Sequence, residues 1–480
     1  MGVTDVARRG SPRGAAYPHA GARPGGVPFG QFIVKVHGRC NLACRYCYLY
    51  EGPDHTWRGR PAAAAPEVLD RAATRIAEHA GAHGLTALSL VLHGGEPLLA
   101  GAARLAAFAG LVRERAGRER TVHATVQTNA TLLTERRIAA LARHSIRVGV
   151  SLDGGRPEHN TLRTDHAGRP SWPAAERGAR LLAEHHPEAY AGILTVVDPR
   201  TGPVELYESL LELRPPAIDL LLPHGNWTAP PPGLPAMDPP RHGPAAGRPT
   251  PYGDWLSAVF DRWWSAGRRE TRIRLFEECL ALLLGLPAAT ESLGLDPLNA
   301  VVIETDGSIE QVDSLKSAYD GAAATGLDIF RHSFDDALAH PGVAARQSGA
   351  SALSPGCRTC PLLSVCGGGN YAHRYRDGDG FTHPSVYCAD LDRLIRHVAK
   401  RLTEATTRDA ARPGATRTDG TRSGTAGTGA ARPEADRADA VRTDGPRAGI
   451  GADRPGVTPP PEVPAVTGPI GVAAIGGGIR

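Results

Sequence analysis

From Gln31 to His224 the chain alternates between two apolar periods. Short β-branched runs read as strands: QFIVKVH (31–37), LSLVLH (88–93), TVHATVQT (121–128), IRVGVSL (146–152), AGILTVV (191–197) and IDLLLPH (218–224). Between them, residues 66–80, 101–115, 134–143, 173–185 and 204–213 place apolar residues at helical spacing. Repeated strand-then-helix units predict a parallel sheet with helices on its outside. Right-handed crossovers would curl that sheet into a partial (β/α)6 barrel. In such barrels the chemistry lies on the loops after the strands' C-terminal ends.

The pattern then changes. Residues 228–251 are Pro-rich and read as a surface loop or connector. A helix bearing Trp255, Phe260 and Trp263 follows, then a second over 272–285. VVIETDGSIEQVD (301–313) reads as a hairpin turning at Asp306–Gly307, and a cysteine-rich segment spans 357–388. The expected organisation is an α/β core over 30–268 and a small α+β extension over 269–400. Low-complexity segments at 1–29 and 401–480 flank them. The tail carries no Phe, Tyr or Trp and is expected to be disordered, as is the lead, because neither can bury enough apolar surface to fold.

Composition narrows the partners. Lys and Arg total 54 against 50 Asp and Glu, a net charge of +4 too small and too mixed for nucleic acid. Lysine occurs only at Lys35, Lys316 and Lys400, which reads as the codon bias of a GC-rich genome. No run reaches the ~18 apolar residues of a membrane span. Behind Arg8 and Arg9 there is also no apolar stretch of roughly 7–15 residues to make a signal peptide. A cytoplasmic protein without membrane or nucleic-acid partners is expected. In that reducing compartment, clustered cysteines mean metal or redox chemistry before disulfides.

The eight cysteines sort into two sets and one remainder. Cys40, Cys44 and Cys47 follow the first strand in CNLACRYC. Thiolates suit iron–sulfur clusters, which normally take four protein ligands. Three ligands with no fourth nearby suggest a cluster with one open iron that a substrate can chelate. A zinc knuckle with His37 as fourth ligand is the alternative. Cys357, Cys360, Cys366 and Cys388 would ligate a second cluster fully, or a structural zinc. Cys279, on the apolar face of RLFEECLALLLG, reads as a small buried apolar residue.

Cys-x3-Cys-x-aromatic-Cys, with Tyr46 before the third cysteine, is the radical S-adenosylmethionine (SAM) signature. QFIVKVHGRCNLACRYCYLYE, LHGGEPLL, VVIETDGSIEQVDSLKSAYDGA, ATGLDIFRHSF and VCGGGNYAHRYR go further. Together they resemble the FXSXX-COOH-system radical SAM/SPASM maturases, the FxsB family, over residues 30–398 apart from the Pro-rich loop.

The resemblance implies a SAM-binding [4Fe–4S] cluster on Cys40, Cys44 and Cys47, and cleavage of SAM to methionine and a 5′-deoxyadenosyl radical. Gly94, Gly95, Glu96 and Pro97 would meet the SAM amino group. Gln127, Thr128 and Asn129 would line the barrel mouth, and Ser151 and Arg163 would hold the SAM carboxylate. Val196 and Val197 would flank the adenine. The extension would be SPASM-like, with one auxiliary [4Fe–4S] cluster on Cys357, Cys360, Cys366 and Cys388. Asn370 stands where that pattern usually has a further cysteine.

The implied partners are a small ribosomally made precursor peptide and an electron donor such as ferredoxin or flavodoxin. The implied product is a C–C crosslink of the three-residue cyclophane type. Asp313, in QVDS, would be the base, with a plain turn aspartate as the alternative. Other readings are a sulfatase-maturase-like Cys or Ser dehydrogenase, a thioether-forming maturase, and a non-catalytic iron–sulfur or zinc protein that binds peptides.

Overall fold

The computed structural model describes residues 26–240, 247–287 and 291–410. The expected disorder at 1–25 and 411–480 lies outside the described residues. At the inner margins the chain is ordered beyond the expected boundaries. Phe29 is fully buried against His79 and Phe334, and the last helix runs from Cys388 to Ala410. The described residues up to Ala405 fall in one compact unit.

Six parallel strands form in sequence order: β1 (Gln31–His37), β2 (Ala87–Gly94), β3 (Thr121–Thr128), β4 (Ile146–Ser151), β5 (Tyr190–Val196) and β6 (Ala217–Leu221). The helices between and after them are α1 (Pro66–Ala82), α2 (Ala102–Ala116), α3 (Glu135–Arg143), α4 (Trp172–His185), α5 (Pro203–Leu211) and α6 (Pro251–Trp264). This is the expected parallel α/β fold. Successive side chains of a strand point to opposite faces. Along β1, Phe32, Val34 and Val36 join the core beneath the helices, while Ile33 joins the separate cluster on the other face, with Val91 and Val302. The same alternation puts Lys35 of β1 and His93 of β2 on that inner face.

The extension is not a separate sheet. β7 (Arg272–Ile273) extends the far edge beside β6 and leads into α7 (Arg274–Leu283). The expected hairpin forms as β8 (Ala300–Ile303) and β9 (Ser308–Glu310), joined by β10 (Ala324–Asp328). β8 lies parallel to β1, with Gln31 opposite Ala300 and Val34 opposite Ile303. The strand order is therefore β10-β9-β8-β1-β2-β3-β4-β5-β6-β7. The 268/269 boundary expected from the sequence thus divides no sheet. β8 satisfies the edge groups that β1 would otherwise leave open, and it carries its own chemistry to the first strand of the barrel.

The Pro-rich segment is pinned at its start. Trp227 donates its indole N–H to Pro384 O at 2.7 Å, and Asn226 Nδ2 donates to Ser317 O at 3.0 Å. These bonds tie the segment after β6 to the cysteine-rich region and to the turn after β9. The last helix, α8 (Cys388–Ala410), carries Asp390, which accepts from the Tyr252 and Gly253 N–H groups at the start of α6, both at 2.9 Å.

Candidate active site and cysteine centres

The loop after β1 folds into its own small apolar cluster, holding Cys44, Cys47, Leu42, Tyr48 and Leu49 with Cys40 at its margin. A turn from Cys44 O to Cys47 N closes the loop at 3.0 Å. Ala43 N and Arg45 N donate to Thr164 O and Leu162 O, so the segment carrying Arg163 is laced to the cysteine loop.

Gly94 and Gly95 lie against the cysteine loop. A Cβ at Gly94, where φ is +146°, would lie 2.0 Å from His37 O. One at Gly95 would lie 2.3 Å from the Tyr50 hydroxyl. The glycines let the end of β2 lie directly on the cysteine loop, with Gly95 N donating to His37 O and Glu96 N to Arg39 O.

Glu96 is fully buried and accepts from Leu98 N, Thr128 Oγ1 and Asn129 N, all at 2.8–2.9 Å. Burial still pushes its carboxyl up to about 7 against those bonds and the Arg163 charge. A cationic group beside it would restore the ionised form. Pro97 follows as the first residue of the turn that Glu96 caps. Asn129 Nδ2 donates to Asn41 Oδ1 at 2.9 Å and lies 3.7 Å from Cys40 Sγ.

On the far side of the loop, Arg163 is 1 % exposed, which rules out a surface arginine. Its Nη1 donates to the Tyr46 hydroxyl at 2.9 Å, and that hydroxyl donates to Asp153. Arg163 Nε and Nη2 have no hydrogen-bond partner among the described residues. A buried guanidinium with unspent donors suits a carboxylate. Ser151 Oγ accepts from Gln127 Nε2 at 3.0 Å. Val196 and Val197 are buried at the end of β5, where Asp153 Oδ1 accepts from Val196 N.

The thiols themselves speak to what they hold. Burial pushes the Cys40 thiol up to about 12, and neighbouring Glu96, Cys44 and Cys47 add to the effect. Such a group ionises only with a cation in contact. No three of the chain's thiols, among the described residues, bring their Sγ atoms within 4.8 Å of one another. Four thiolates on a single zinc at ~2.3 Å would sit roughly 3.8 Å apart. His37 accepts from Arg39 N at its Nδ1, 3.3 Å away.

Inside the barrel lies an ionic cluster that the sequence did not announce. Lys35 Nζ is 2.6 Å from Asp313 Oδ1 and 2.9 Å from Glu304. Lys316 Nζ is 2.6 Å from Glu304, 2.8 Å from Glu310 and 3.4 Å from Asp313. Arg60 bridges Glu304 and Glu310 at 3.0 and 2.5 Å. Burial alone would raise the Asp313 carboxyl, but Lys35 and Lys316 outweigh it and hold the group below the usual carboxylate range. His93 Nδ1 lies 3.7 Å from Asp313 Oδ2, and burial pushes its imidazole down to about 4, so it is neutral. The scarcity of lysine was the available signal, because two of the three lysines are here.

The second cysteine set lines one cavity: Cys357, Cys360, Cys366 and Cys388, with Gly356, Leu363, Gly368 and Ser385. Asn370 is not among its walls; its side chain accepts from Ala372 N at 2.9 Å and turns the chain. Gly367 takes φ +58°, and a Cβ there would lie 1.6 Å from Gly294 O. Arg374, missed in the sequence, gathers the carbonyls of Gly367, Gly368 and Gly369 and sets its charge beside Cys357 and Cys366. Cys279 is fully buried on α7, as expected of a packing residue.

Residues 34–209 match the radical SAM superfamily. A serine-type anaerobic sulfatase-maturating enzyme of Bacteroides thetaiotaomicron is 25 % identical over 399 residues, covering 78 % of this chain and 91 % of the relative. A cysteine-type enzyme of Clostridium perfringens is 30 % identical over 175 residues, covering 36 % of this chain and 46 % of the relative. The solved structure of anSMEcpe with bound AdoMet superposes with a TM-score of 0.64 at 22 % identity, covering 80 % of this chain and all of that one. The same protein with AdoMet and the Cp18Cys peptide gives 0.62 at 23 %, covering 79 % of this chain and 99 % of that one. At that identity the likeness speaks for the fold. Among the described residues, no helix is long and apolar enough to cross a membrane.

Proposed function

We propose that this radical SAM enzyme modifies a peptide, which loses a hydrogen atom inside the barrel and then one electron and one proton. The observation that carries this reading is Asp313, a buried carboxylate held ionised by Lys35 on the barrel's inner face. When bound, a reduced [4Fe–4S] cluster with SAM supplies the 5′-deoxyadenosyl radical that takes the hydrogen atom.

The chain's own residues bind and orient. Cys40, Cys44 and Cys47 hold the cluster, and Asn129 lies against Cys40. Glu96 receives the SAM amino group, and a cation there removes the cost of its buried charge. Arg163, with two donor atoms unspent, and Ser151 receive the SAM carboxylate. Asp313 takes the proton that the substrate radical loses on oxidation. Cys357, Cys360, Cys366 and Cys388 would hold an auxiliary cluster, which would supply an acceptor for the departing electron, and ferredoxin or flavodoxin would supply the starting electron.

For the peptide product, a C–C crosslink in a small ribosomal peptide is the first reading. It is supported by the long FxsB-like stretches and by a cysteine complement that stops at two sets. Oxidation of a Ser or Cys side chain is the second. Its support is the 91 % coverage of a serine-type sulfatase-maturating relative.

Anaerobic incubation of the iron-loaded chain with SAM, dithionite and synthetic peptides ending in a Phe-x-Ser-type motif tests the proposal. The expected product is a peptide lighter by the mass of H2, with fragmentation suppressed between the joined residues. An aldehyde that reacts with hydrazide would replace the first reading by the second. An unmodified peptide, with no 5′-deoxyadenosine released under dithionite, would sink both.

A further inference from the structure

The two cysteine sets are joined by a continuous line of aromatic side chains. Tyr48 directly follows Cys47, and its ring meets that of His224 edge-on, centroids 4.6 Å apart. His224, just past β6, places Nδ1 3.2 Å from Nε2 of His373. The His373 ring meets Tyr387 edge-on at 5.0 Å, and Tyr387 directly precedes Cys388. Tyr48, His373 and Tyr387 are buried.

The line also crosses a fixed joint. Tyr387 donates its hydroxyl to Pro223 O at 2.6 Å, so the cysteine-rich region is hydrogen-bonded to the residue before His224. Burial, with His224 and Arg374 alongside, holds His373 well below the usual histidine range. The ring is neutral, and the imidazole pair shares one N–H···N hydrogen bond.

The cysteines leave no third set in between. Seven of the eight cysteines belong to the two sets, and Cys279 is packed in the core of α7. An electron moving from one set to the other must cross protein. Electronic coupling through protein is stronger across packed, contacting groups than across gaps.

We infer that Tyr48, His224, His373 and Tyr387 form a one-electron route between the two cysteine centres. This rests on reading both centres as iron–sulfur sites. With [4Fe–4S] clusters held at both centres, a single electron would leave the reduced one and arrive at the oxidised one. No bond forms or breaks, and the proton between the imidazoles stays in their hydrogen bond. The route gives the electron removed from a substrate radical a way back towards the SAM site.

The test uses the full chain, reconstituted anaerobically and checked for iron. A limiting amount of dithionite is mixed in, and freeze-quench electron paramagnetic resonance follows how the electron redistributes between the two cluster signals. The component independent of protein concentration is the internal one. His224→Leu and His373→Leu should slow it about tenfold, equivalent to about 1.4 kcal/mol of added barrier. His224→Phe and His373→Phe, which keep a ring in the line, should restore it. Should a leucine variant fail to take up iron, Tyr48→Leu interrupts the line at its other contact. Tyr190→Leu, a buried tyrosine of β5 away from the line, controls for lost packing. Leucine variants that redistribute at the wild-type rate overturn the route, as does an equal slowing in Tyr190→Leu. A wild-type chain that takes up zinc in place of iron overturns the route together with the reading beneath it.

Discussion

The ammonium group of Lys35 lies 2.6 Å from a carboxylate oxygen of Asp313, a residue 278 positions further along the chain. The contact exists because β8 pairs with β1 and brings the Glu304–Asp313 segment onto the barrel's inner face. Both partners are buried, and Lys35 is one of two cations that hold the Asp313 carboxyl below its ordinary value. Removing one partner of such a pair leaves an uncompensated buried charge. Lys35→Met should therefore destabilise the fold by about 3–5 kcal/mol. Lys400→Met, on the exposed face of α8, should stay within about 0.5 kcal/mol. Denaturant unfolding of both variants decides; equal stability would mean that the ionic cluster is not a structural element.

The same pair bears on pH. Lys35 and Lys316 hold the Asp313 carboxyl below its ordinary value. A depressed carboxyl contributes stability that is present above the ordinary aspartate value and lost as the pH falls through the lowered one. In catalysis the sign is the same: the base stays ionised, so Asp313 imposes no acid limb on product formation between roughly pH 5 and 8. Lys35→Gln weakens that hold and should move an acid limb up into this window. Asp313→Asn should keep its iron and still release 5′-deoxyadenosine while forming little modified peptide. Modified peptide at the wild-type rate from Asp313→Asn would remove Asp313 from the chemistry.

Much of this was legible in the sequence, for local reasons. The six strands follow from apolar period, and the cysteine loop from its spacing after β1. Glu96 and Arg163 were singled out by resemblance, and both are buried. What the sequence hid was long-range. Nothing in VVIETDG says that it will lie beside QFIVKVH, since a short apolar run pairs with any open edge. Lys35 and Lys316 read as codon bias until the sheet brought them together around Glu304. Nor did the sequence show that Gly94 and Gly95 would lie so close to backbone and a tyrosine of the neighbouring loop. Tyr48, His224 and His373 gave no signal at all, because an aromatic residue in a loop is ordinary until its neighbours are known.

The cysteines separate by their surroundings. Cys366 lines the four-cysteine cavity, and Gly368 N–H is bonded to it. Cys279 sits on α7, and burial in the core pushes its thiol up to about 12. Cys366→Ala should lose about four irons per chain, the content of one cluster, and keep the rest. Cys279→Ala should keep the full iron content and lose only about 1 kcal/mol, in line with a small buried truncation. Iron and sulfide assays on the two variants are enough. Equal iron loss would put Cys279 among the ligands.

Arg163 offers the sharpest test of how SAM is held. Its Nη1 is committed to Tyr46, and Tyr46 to Asp153, so the guanidinium is fixed in place before any ligand arrives. Its Nε and Nη2 donors are buried and unspent among the described residues. A carboxylate that accepts from them gains charge-assisted hydrogen bonds, each contributing about 1.5–3 kcal/mol. Arg163→Lys keeps the charge but replaces the fork with a single flexible point. It should weaken SAM binding by roughly 10- to 150-fold, the range those energies imply, with iron content unchanged. Calorimetry with S-adenosylhomocysteine reads this without turnover. Wild-type affinity in Arg163→Lys would show that the arginine serves only to anchor Tyr46 beside the cysteine loop, leaving the SAM carboxylate to other donors such as Ser151.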